Sequence, residues 1–555
     1  MTLERLAERY WNVANALNPT TATLRGIHDY DDQMPRFDDA WLADKGDELR
    51  AIIAEAEDLD SATLSVQQRI THALLLHQAR SALLDSIETP FLIAAVDPFT
   101  GPHTRVLRDT RQYTVHDLSQ ADALVGRYEK IPTFLEGALA LHRQNVDRGM
   151  PPALASTERV LGQLDGYLES DLSDDPFLVL DVPGDDGSWR DRVETIVTET
   201  IRPAVEAYRD GLREHVAPKS RPHERSGLQW IDGGEALYTR LIEKYTQTRD
   251  TPQVIHDIGL RWATEINAAE WAEVGEGALG LADLPTIFAR LHSDPSLRFE
   301  SEEHMLRHAR ASLERAWAEV DSWFAHRPQA PCDVVPVPAP IAPAMPQAYY
   351  LQPPLDRSRP GTYFLNTYRP QERDLFEYQS IHFHEGIPGH HFDRSLAAEL
   401  EGIPDFRRFA MVYAHTEGWG LYSERLADEM GLYSSELDRL GMIAADAWRA
   451  ARLVTDTGIH ALGWSRQRAI DFMKTWTPVS LLAIEQEVDR YISMPGQALA
   501  YKIGQLEILR LRELAEQNLG PRFDISGFHD VMLVNGAMPL PMLRVAVEDW
   551  MATAT

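Results

Sequence analysis

The stretch "IHFHEGIPGHHF", residues 381–392, contains four histidines, one glutamate and a Pro-Gly pair. It departs from the H-E-x-x-H zinc-binding pattern, in which two histidines four residues apart project from one face of a helix. The residue four after His384 is Pro388, and the next histidines are His390 and His391, six and seven residues on. In an undistorted helix His390 would lie about 120° off the face of His384, whereas His391 would return to that face about 10 Å along the axis.

The Pro-Gly pair explains how a displaced histidine can still reach a shared metal. Proline lacks the N–H that would bond the carbonyl of His384, and glycine adopts the unusual dihedral angles of a bulge. We predict that two residues loop out at Pro388 and Gly389, so that His390 rather than His391 takes the place of the second ligand. The alternative is a loop that carries surface histidines.

Further candidate ligands lie downstream. Five of the 20 histidines fall within residues 382–415, and the only cysteine, Cys332, excludes an internal disulfide and a cysteine-based zinc cage. A metal here would need histidine and carboxylate ligands. The segment "YAHTEGWGLYSERLADEM" (413–430) is predicted to be helical, with Glu417 and Glu424 seven residues apart on one face. We expect Glu417 to be the third ligand, and Glu424 to support the ligands or to be exposed.

Three motifs together resemble one protein family. They are "HEGIPGHH" at 384–391, "EGWGLYSE" at 417–424 and "PGQALAYKIG" at 495–504, and the opening segment "NPTTATLRGIHDYDD" (18–32) belongs to the same resemblance. The family is the bacterial family of unknown function numbered 885 (DUF885), and the resemblance covers nearly the whole chain. This family is similar to the gluzincin metallopeptidases.

The resemblance implies both a fold and a site. The implied fold is mainly α-helical, a large helical body with a deep active-site cleft and a small β-sheet beside the zinc helices. The implied cofactor is Zn²⁺, with His384, His390 and Glu417 as ligands and Glu385 as the general base. The spacing between the two histidines is longer than in the gluzincin pattern. A metal held in this way lowers the pKa of a bound water, and a glutamate beside a ligand can move the proton of that water to a leaving amine.

The reaction also needs a hydrogen-bond donor for the oxyanion of the intermediate. The candidates are Tyr501 in "ALAYKIG" and His460 in "TDTGIHALGW", because gluzincins that resemble this chain place a tyrosine or histidine opposite the zinc. Asp456 lies four residues before His460 on a predicted helix and is expected to orient its ring.

Composition along the chain predicts three regions within one continuous catalytic domain. Residues 1–325 and 371–555 show helical periodicity, whereas 326–370 contains eleven of the 34 prolines. The aromatic and β-branched residues of this Pro-rich segment predict a small sheet over about 340–368, close to His384. Its "GTYFLNTY" strand is a candidate for pairing with an extended peptide. The alternative is an interdomain linker.

Composition and charge exclude several kinds of partner. With 44% hydrophobic and 25% charged residues, the chain has the proportions of a soluble globular protein. The formal charge of −31 argues against nucleic acid and against an anionic membrane surface. The first 21 residues lack the apolar core of a secretory signal, and no stretch approaches the roughly 18 apolar residues of a membrane span. We therefore expect a cytoplasmic protein whose partner is a peptide or a small amide.

The function expected from these observations is that of a zinc metallopeptidase. A metal-dependent hydrolase of small amides or esters is an alternative, because the zinc chemistry is the same. A second alternative is a catalytically inactive helical binding scaffold. The glutamate beside His384, Glu385, argues against this scaffold, because an inactive site has no use for a general base.

Overall fold

A computed structural model of the chain describes residues 2–339, 342, 345–355 and 359–554. Helix accounts for 71% of the structure, so the expectation of a mainly α-helical fold is confirmed. None of the helices formed by the described residues has both the length and the apolar content needed to cross a membrane.

The α-helices of the first half are α1 Leu3–Leu17, α2 Pro19–Leu24, α3 Asp39–Glu57, α4 Val66–Leu83, α5 Pro90–Ile93, α6 Pro102–Leu107, α7 Leu118–Tyr128, α8 Ile131–Asp147, α9 Leu154–Glu169, α10 Ser188–Ile196, α11 Arg202–Gly211, α12 Gly234–Thr246, α13 Pro252–Arg261, α14 Asn267–Leu279, α15 Leu284–Ser293 and α16 Glu302–Glu319. Those of the second half are α17 Tyr378–Glu385, α18 His390–Glu399, α19 Asp405–Arg408, α20 Tyr413–Glu429, α21 Glu436–His460, α22 Arg466–Trp476, α23 Leu481–Ser493, α24 Ala500–Leu519, α25 Ile525–Leu533 and α26 Leu540–Thr553.

Helix α21 lies at the centre of the second half. It is 25 residues long, and nearly every side chain from Leu440 to His460 is buried. A helix that is buried on all sides needs neighbours all around it, and α21 packs against α13, α14, α17 and α22. Ser435 starts the helix, because its hydroxyl accepts the N–H of Asp438 at 3.3 Å.

The Pro-rich region forms a three-stranded sheet. Its strands are β1 (Cys332–Pro336), β2 (Ala348–Leu351) and β3 (Gly361–Leu365), in the order β1-β3-β2, with β1 parallel and β2 antiparallel to β3. The predicted segment 340–368 contains β2 and β3, while β1 precedes it. Within that segment, residues 340–341, 343–344 and 356–358 lie outside the described residues.

The sheet touches the helices that carry the histidine motif. The Tyr363 hydroxyl lies 2.7 Å from Nδ1 of His382, and the Tyr350 hydroxyl lies 3.0 Å from Nδ1 of His391. Strand β3, which contains "GTYFL", is the central strand, and both of its edges are paired within the sheet. The prediction that this strand pairs with an extended peptide is therefore wrong, since no backbone edge of β3 is left open.

Two apolar cores cross the boundaries between the sequence regions. One core joins Ile70 of the N-terminal region to Tyr363 of the sheet and Leu511 of the C-terminal region. A second core joins Leu6 of α1 to Phe406 of α19. Chain segments far apart in sequence therefore exclude water from the same interior.

Helices α20 and α24 cross at two glycines. A Cβ on Gly418 would lie 2.6 Å from the backbone of Gly504, and a Cβ on Gly504 would lie 1.8 Å from the carbonyl oxygen of Ala414. Both distances are too short for a side chain. The crossing therefore requires glycine at both positions and brings the two backbones into direct contact.

A buried network of charges lies beside this crossing. Nζ of Lys502 donates to Oδ1 of Asp446 at 2.6 Å, and Arg425 bonds both Asp446 and Glu270, the latter at 2.9 Å. Lys502 and Asp446 are almost completely buried. Burial opposes ionisation of Asp446, but the charges of Arg425 and Lys502 outweigh it and hold the pKa of its carboxyl below the ordinary value.

The network predicts a loss of stability on removal of its lysine. Lys502→Met leaves Asp446 with only part of its compensating charge, so we expect the free energy of unfolding to fall by about 3 kcal/mol. Urea unfolding followed by circular dichroism measures this change. Lys474→Met, at an exposed position on α22, is the matched control and should keep the wild-type midpoint. Equal midpoints for the two variants would show that the network does not stabilise the fold.

Candidate metal centre

The histidine motif is divided between two helices. Helix α17 ends at Glu385 and α18 begins at His390, so residues 386–389 form a break rather than a bulge within one helix. The N–H of His391 donates to the carbonyl oxygen of Gly386 at 3.1 Å across this break. The prediction of looped-out residues at Pro388 was therefore right about the place and wrong about the continuity of the helix. Pro388 has no N–H for a helical hydrogen bond, and the next helix, α18, begins two residues later.

Three of the predicted residues come together around one point. Oε2 of Glu417 lies 3.7 Å from Nε2 of His384 and 3.4 Å from Nε2 of His390. The two imidazole rings are nearly perpendicular, with centroids 4.6 Å apart. The side chains of His384, His390 and Glu417 are 5%, 12% and 13% exposed, so the group is largely shielded from water yet not sealed off.

The spacing of these donor atoms suits a tetrahedral zinc ion. Zinc bonds of 2.0 to 2.2 Å to nitrogen and oxygen place neighbouring ligand atoms about 3.3 to 3.6 Å apart in a tetrahedron. The distance of 3.4 Å between Glu417 and His390 lies within this range, and that of 3.7 Å between Glu417 and His384 is slightly longer. Two imidazoles and one carboxylate are also a donor set that zinc accepts, with one position left for water or substrate. The residues therefore fit the metal that the sequence predicts.

A second glutamate orients the first histidine. Oε1 of Glu424 lies 2.7 Å from Nδ1 of His384, and the Ser380 hydroxyl donates to the other carboxylate oxygen of Glu424. Burial opposes the charged form of His384, but hydrogen bonds to Glu417 and Glu424 outweigh it and raise its pKa to about 9. A carboxylate on Nδ1 leaves Nε2 as the atom that faces Glu417. Glu424 was expected either to support a ligand or to be exposed. Its contact with Nδ1 of His384 matches the first expectation.

The helix that carries both glutamates also accommodates the ring of His384. A Cβ on Gly420 would lie 2.8 Å from Nε2 of His384. Glycine at this position lets the ring rest directly on the backbone of α20, between Glu417 and Glu424.

The other histidines of the motif face elsewhere. His391 turns toward the sheet, where Nδ1 meets the Tyr350 hydroxyl, and burial lowers its pKa to about 4. His382 bonds Tyr363 and His308, and burial holds its pKa well below the ordinary value. The structure therefore brings His390, and not His391, to the group.

Glu385 and Tyr501 lie beside the group of three without belonging to it. Glu385 is the last residue of α17, directly after His384, and its negative charge contributes to the raised pKa of that histidine. The Tyr501 ring is stacked on the His384 ring, with centroids 6.4 Å apart. Burial and the charge of Glu417 raise the pKa of Tyr501, so its hydroxyl stays protonated and able to donate a hydrogen bond.

Two arginines lie next to Tyr501 and were not predicted from the sequence. The guanidinium of Arg452 lies 4.5 Å from the centroid of the Tyr501 ring, and that of Arg449 lies 6.0 Å from it. Arg449 also comes within 3.7 Å of Glu424. Their three-residue spacing on a helix was the available signal, because it places both on one face.

His460 and Asp456 lie in a different environment. Nδ1 of His460 accepts the N–H of Leu228 at 3.1 Å, and its Nε2 lies 2.9 Å from the Tyr491 carbonyl oxygen. Both ring nitrogens are thus bonded to backbone groups, and burial lowers the pKa to about 3. Asp456 does not orient this ring. Its carboxylate accepts the Tyr238 hydroxyl at 2.6 Å and the N–H of Gly496 at 3.1 Å instead.

A cavity of about 420 Å³ lies next to the group. Its walls include Tyr413, which is one helical turn before Glu417 on α20, but not His384, His390 or Glu417. The deep cleft that the resemblance implies around these three residues therefore stays a prediction.

Solved structures share this fold. The structure described as the putative lipoprotein from Colwellia psychrerythraea matches with a TM-score of 0.92 and 24% identity over 99% of each chain. A putative lipoprotein of unknown function from Shewanella oneidensis matches with a TM-score of 0.75 and 18% identity, over 98% of this chain and 99% of that one. At these identities the likeness concerns the fold alone.

Comparison at the level of sequence assigns the family. No curated protein matches the chain. The family model described as "Bacterial protein of unknown function (DUF885)" matches residues 19–547, which is nearly the full length. The chain therefore belongs to the DUF885 family.

Proposed function

We propose that the protein is a zinc-dependent hydrolase, a metallopeptidase of the gluzincin type that cleaves peptide bonds. The observation that carries this proposal is the spacing of three donor atoms, 3.4 and 3.7 Å between Glu417 and the two histidines. In this proposal His384, His390 and Glu417 hold the metal. When bound, zinc supplies a Lewis acid that lowers the pKa of a coordinated water and polarises a substrate carbonyl.

Two further residues carry the proton transfer and the hydrogen bonding. Glu385 accepts a proton from the attacking water and passes it to the leaving amine, which is the role of a carboxylate beside a metal ligand that does not itself coordinate. The Tyr501 hydroxyl donates a hydrogen bond to the oxygen that gains negative charge in the intermediate. The stacking of Tyr501 on His384 keeps this donor close to the proposed metal position.

Hydrolysis of small amides or esters is the second candidate function. It uses the same residues, and only the range of substrates separates the two. Digestion of a library that runs from dipeptides to oligopeptides, with small amides and esters in parallel, distinguishes them. An inactive scaffold would process none of these substrates, even with a full complement of zinc.

Two substitutions separate metal binding from chemistry. Glu417→Ala removes one of three proposed ligands and its charge, so we expect zinc content and turnover to fall together. Glu385→Gln removes only the proposed base, so zinc content should stay near that of the wild type while turnover falls about 10²- to 10⁴-fold. The measurement is zinc stoichiometry and hydrolysis rate on the same preparations.

The two variants serve as controls for each other. Equal loss of metal in both would make Glu385 a ligand. Unchanged turnover in Glu385→Gln would mean that the chemistry does not occur at the end of α17.

The bond between Glu424 and His384 makes a separate prediction about affinity. Glu424→Gln keeps the shape of the side chain but weakens its hold on Nδ1 of His384, so we expect zinc affinity to fall about 10- to 100-fold. Competition with a zinc chelator measures this change. Glu429→Gln, on the same helix but paired with Arg512 at the surface, should bind zinc like the wild type. Equal affinities in both variants would remove Glu424 from the metal centre.

Tyr501 is tested by removal of its hydroxyl alone. Tyr501→Phe keeps the ring on His384, so zinc content should not change, whereas kcat should fall about 10²-fold if the hydroxyl stabilises the oxyanion. Steady-state kinetics with metal analysis provides both values. An unchanged kcat would assign Tyr501 a purely structural role beside His384.

A further inference from the structure

The cavity of about 420 Å³ lies between the N-terminal helices and the segments that build the metal centre. Its volume falls within the range of roughly 300 to 1,000 Å³ that small-ligand sites occupy. One wall contains Tyr413, four residues before Glu417 on α20, and another contains Met494 and Pro495, just before the helix that carries Tyr501. The cavity thus borders two of the segments that supply the proposed active site.

Aromatic rings form much of the remaining wall. They belong to Trp11, Phe37, Trp41, Phe406 and Phe409. The guanidinium of Arg25 lies 5.0 Å from the Trp11 ring and 5.8 Å from the Phe409 ring. These cation–π contacts hold the charged group of Arg25 in place without neutralising it.

The acidic groups of the cavity are already occupied. Asp85 pairs with Lys244 at 2.6 Å. Asp97 accepts the backbone N–H groups of Phe99 and Thr100 at 2.9 and 3.1 Å. Neither carboxylate forms an ion pair with Arg25 or Arg105. The charges of Asp85, Asp97 and Asp109 still act on Arg105 and partly offset the effect of burial, which lowers the pKa of its guanidinium.

Two arginines in the cavity have no carboxylate partner. Arg25 donates to the Asn15 side-chain oxygen at 3.3 Å, and Arg105 donates to that of Asn18 at 3.0 Å. Within the described part of the chain, neither guanidinium forms an ion pair. Asn15 and Asn18 are three residues apart, so both arginines reach the same end of α1. Burial, together with repulsion from Arg394, lowers the pKa of Arg25 to about 10, as expected for a cation that lacks a counter-charge.

We propose that this cavity binds a carboxylate of the peptide substrate through Arg25 and Arg105, with the aromatic walls holding the adjoining side chain. The proposal rests on the proposed peptidase function. Guanidinium groups match carboxylates in both charge and geometry. Partly buried guanidiniums that bond only neutral amides retain donors for such a ligand. The carboxylate belongs either to the C-terminus of the peptide or to an acidic side chain.

The wall of the cavity comes within one helical turn of the proposed metal centre along α20. Tyr413 and Glu417 are separated by one helical turn, about 6 Å along the axis. An extended peptide covers this length with about two residues. Arg394 forms a second connection between the proposed metal centre and the cavity. It lies four residues after His390 and donates a hydrogen bond at 2.9 Å to the carbonyl oxygen of Ala410, which lines the cavity.

Binding without turnover tests the proposal directly. The zinc-loaded full chain carrying Glu385→Gln is titrated calorimetrically with glycyl-glycyl-phenylalanine and with the C-terminal amide of the same peptide. We expect the free acid to bind about 10- to 100-fold more tightly, which is the size of a hydrogen bond to a charged group. The amide of glycyl-glycyl-glutamate distinguishes the two sources. Tight binding of this amide assigns the site to an acidic side chain, and weak binding assigns it to the C-terminus.

Substitutions then identify the residues responsible. In the same background, Arg25→Gln and Arg105→Gln should each reduce the preference for the carboxylate. Arg50→Gln, at a surface position on α3 where Arg50 pairs with Asp47, should keep it. Circular dichroism checks the folding of each variant, and if Arg25→Gln does not fold, Arg105→Gln carries the test. Two results would overturn the proposal. One is equal binding of glycyl-glycyl-phenylalanine and its amide by the parent chain together with weak binding of the glycyl-glycyl-glutamate amide, and the other is full preference in folded Arg105→Gln.

Failure of the proposed function gives a different result. If the peptides bind with the expected preference but the wild-type protein cleaves none of them, the carboxylate site stands and the peptidase proposal fails. If the wild type cleaves free-acid and amidated peptides equally well, and the parent chain prefers neither the free acid nor the glycyl-glycyl-glutamate amide, the peptidase proposal stands and the carboxylate site fails.

Discussion

The contact between Gly418 and Gly504 is the constraint on which the candidate site depends. No side chain separates α20 from α24 at this crossing. Glu417 is the neighbour of Gly418, and Tyr501 lies three residues before Gly504, so both side chains come to lie against the ring of His384. A proposed metal ligand and a proposed hydrogen-bond donor from distant parts of the chain are thus held together by the absence of two side chains. Any larger residue at the crossing would push the helices apart and separate the carboxylate from the hydroxyl.

Polar groups away from the site set the rotation and the start of α24. Tyr501 and Lys502 are consecutive, so they project about 100° apart. Turning α24 to move the tyrosine would pull the Lys502 ammonium from Asp446, and a buried charge that loses its partner costs several kcal/mol. At the turn before this helix, Asp456 accepts the N–H of Gly496. In the "PGQALAYKIG" motif, Tyr501 therefore faces the site, whereas Gly496 and Lys502 fix the orientation of the helix that carries it.

The grouping of His384, His390 and Glu417 could be predicted because it follows from residue spacing and residue type. The spacing of His384 and His390 around Pro388, and the carboxylate at Glu417, can be read from helical geometry and the preferences of zinc. No comparable rule predicts which distant residue a buried side chain will bond. The i, i+4 spacing places Asp456 on the face of His460, yet its carboxylate bonds Tyr238, 218 residues earlier. Likewise, composition predicted the sheet around 340–368, but β1, which precedes this segment, joins it through long-range pairing.

The cationic cavity had no local signal at all, because its walls come from many helices that are spread along the chain from α1 to α23. Its arginine at position 25 belongs to the opening motif "NPTTATLRG", for which the sequence alone offered no chemical role. The charge of the cavity lining is positive, whereas the formal charge of the whole protein is −31. Such a surface repels acidic polypeptides over about one Debye length, roughly 8 Å at physiological salt. Arginines recessed in a cavity act mainly on an anion that has come within about one Debye length of them. If the cavity binds a carboxylate as proposed, a negative exterior around a positive cavity favours small ligands with one carboxylate over large acidic chains.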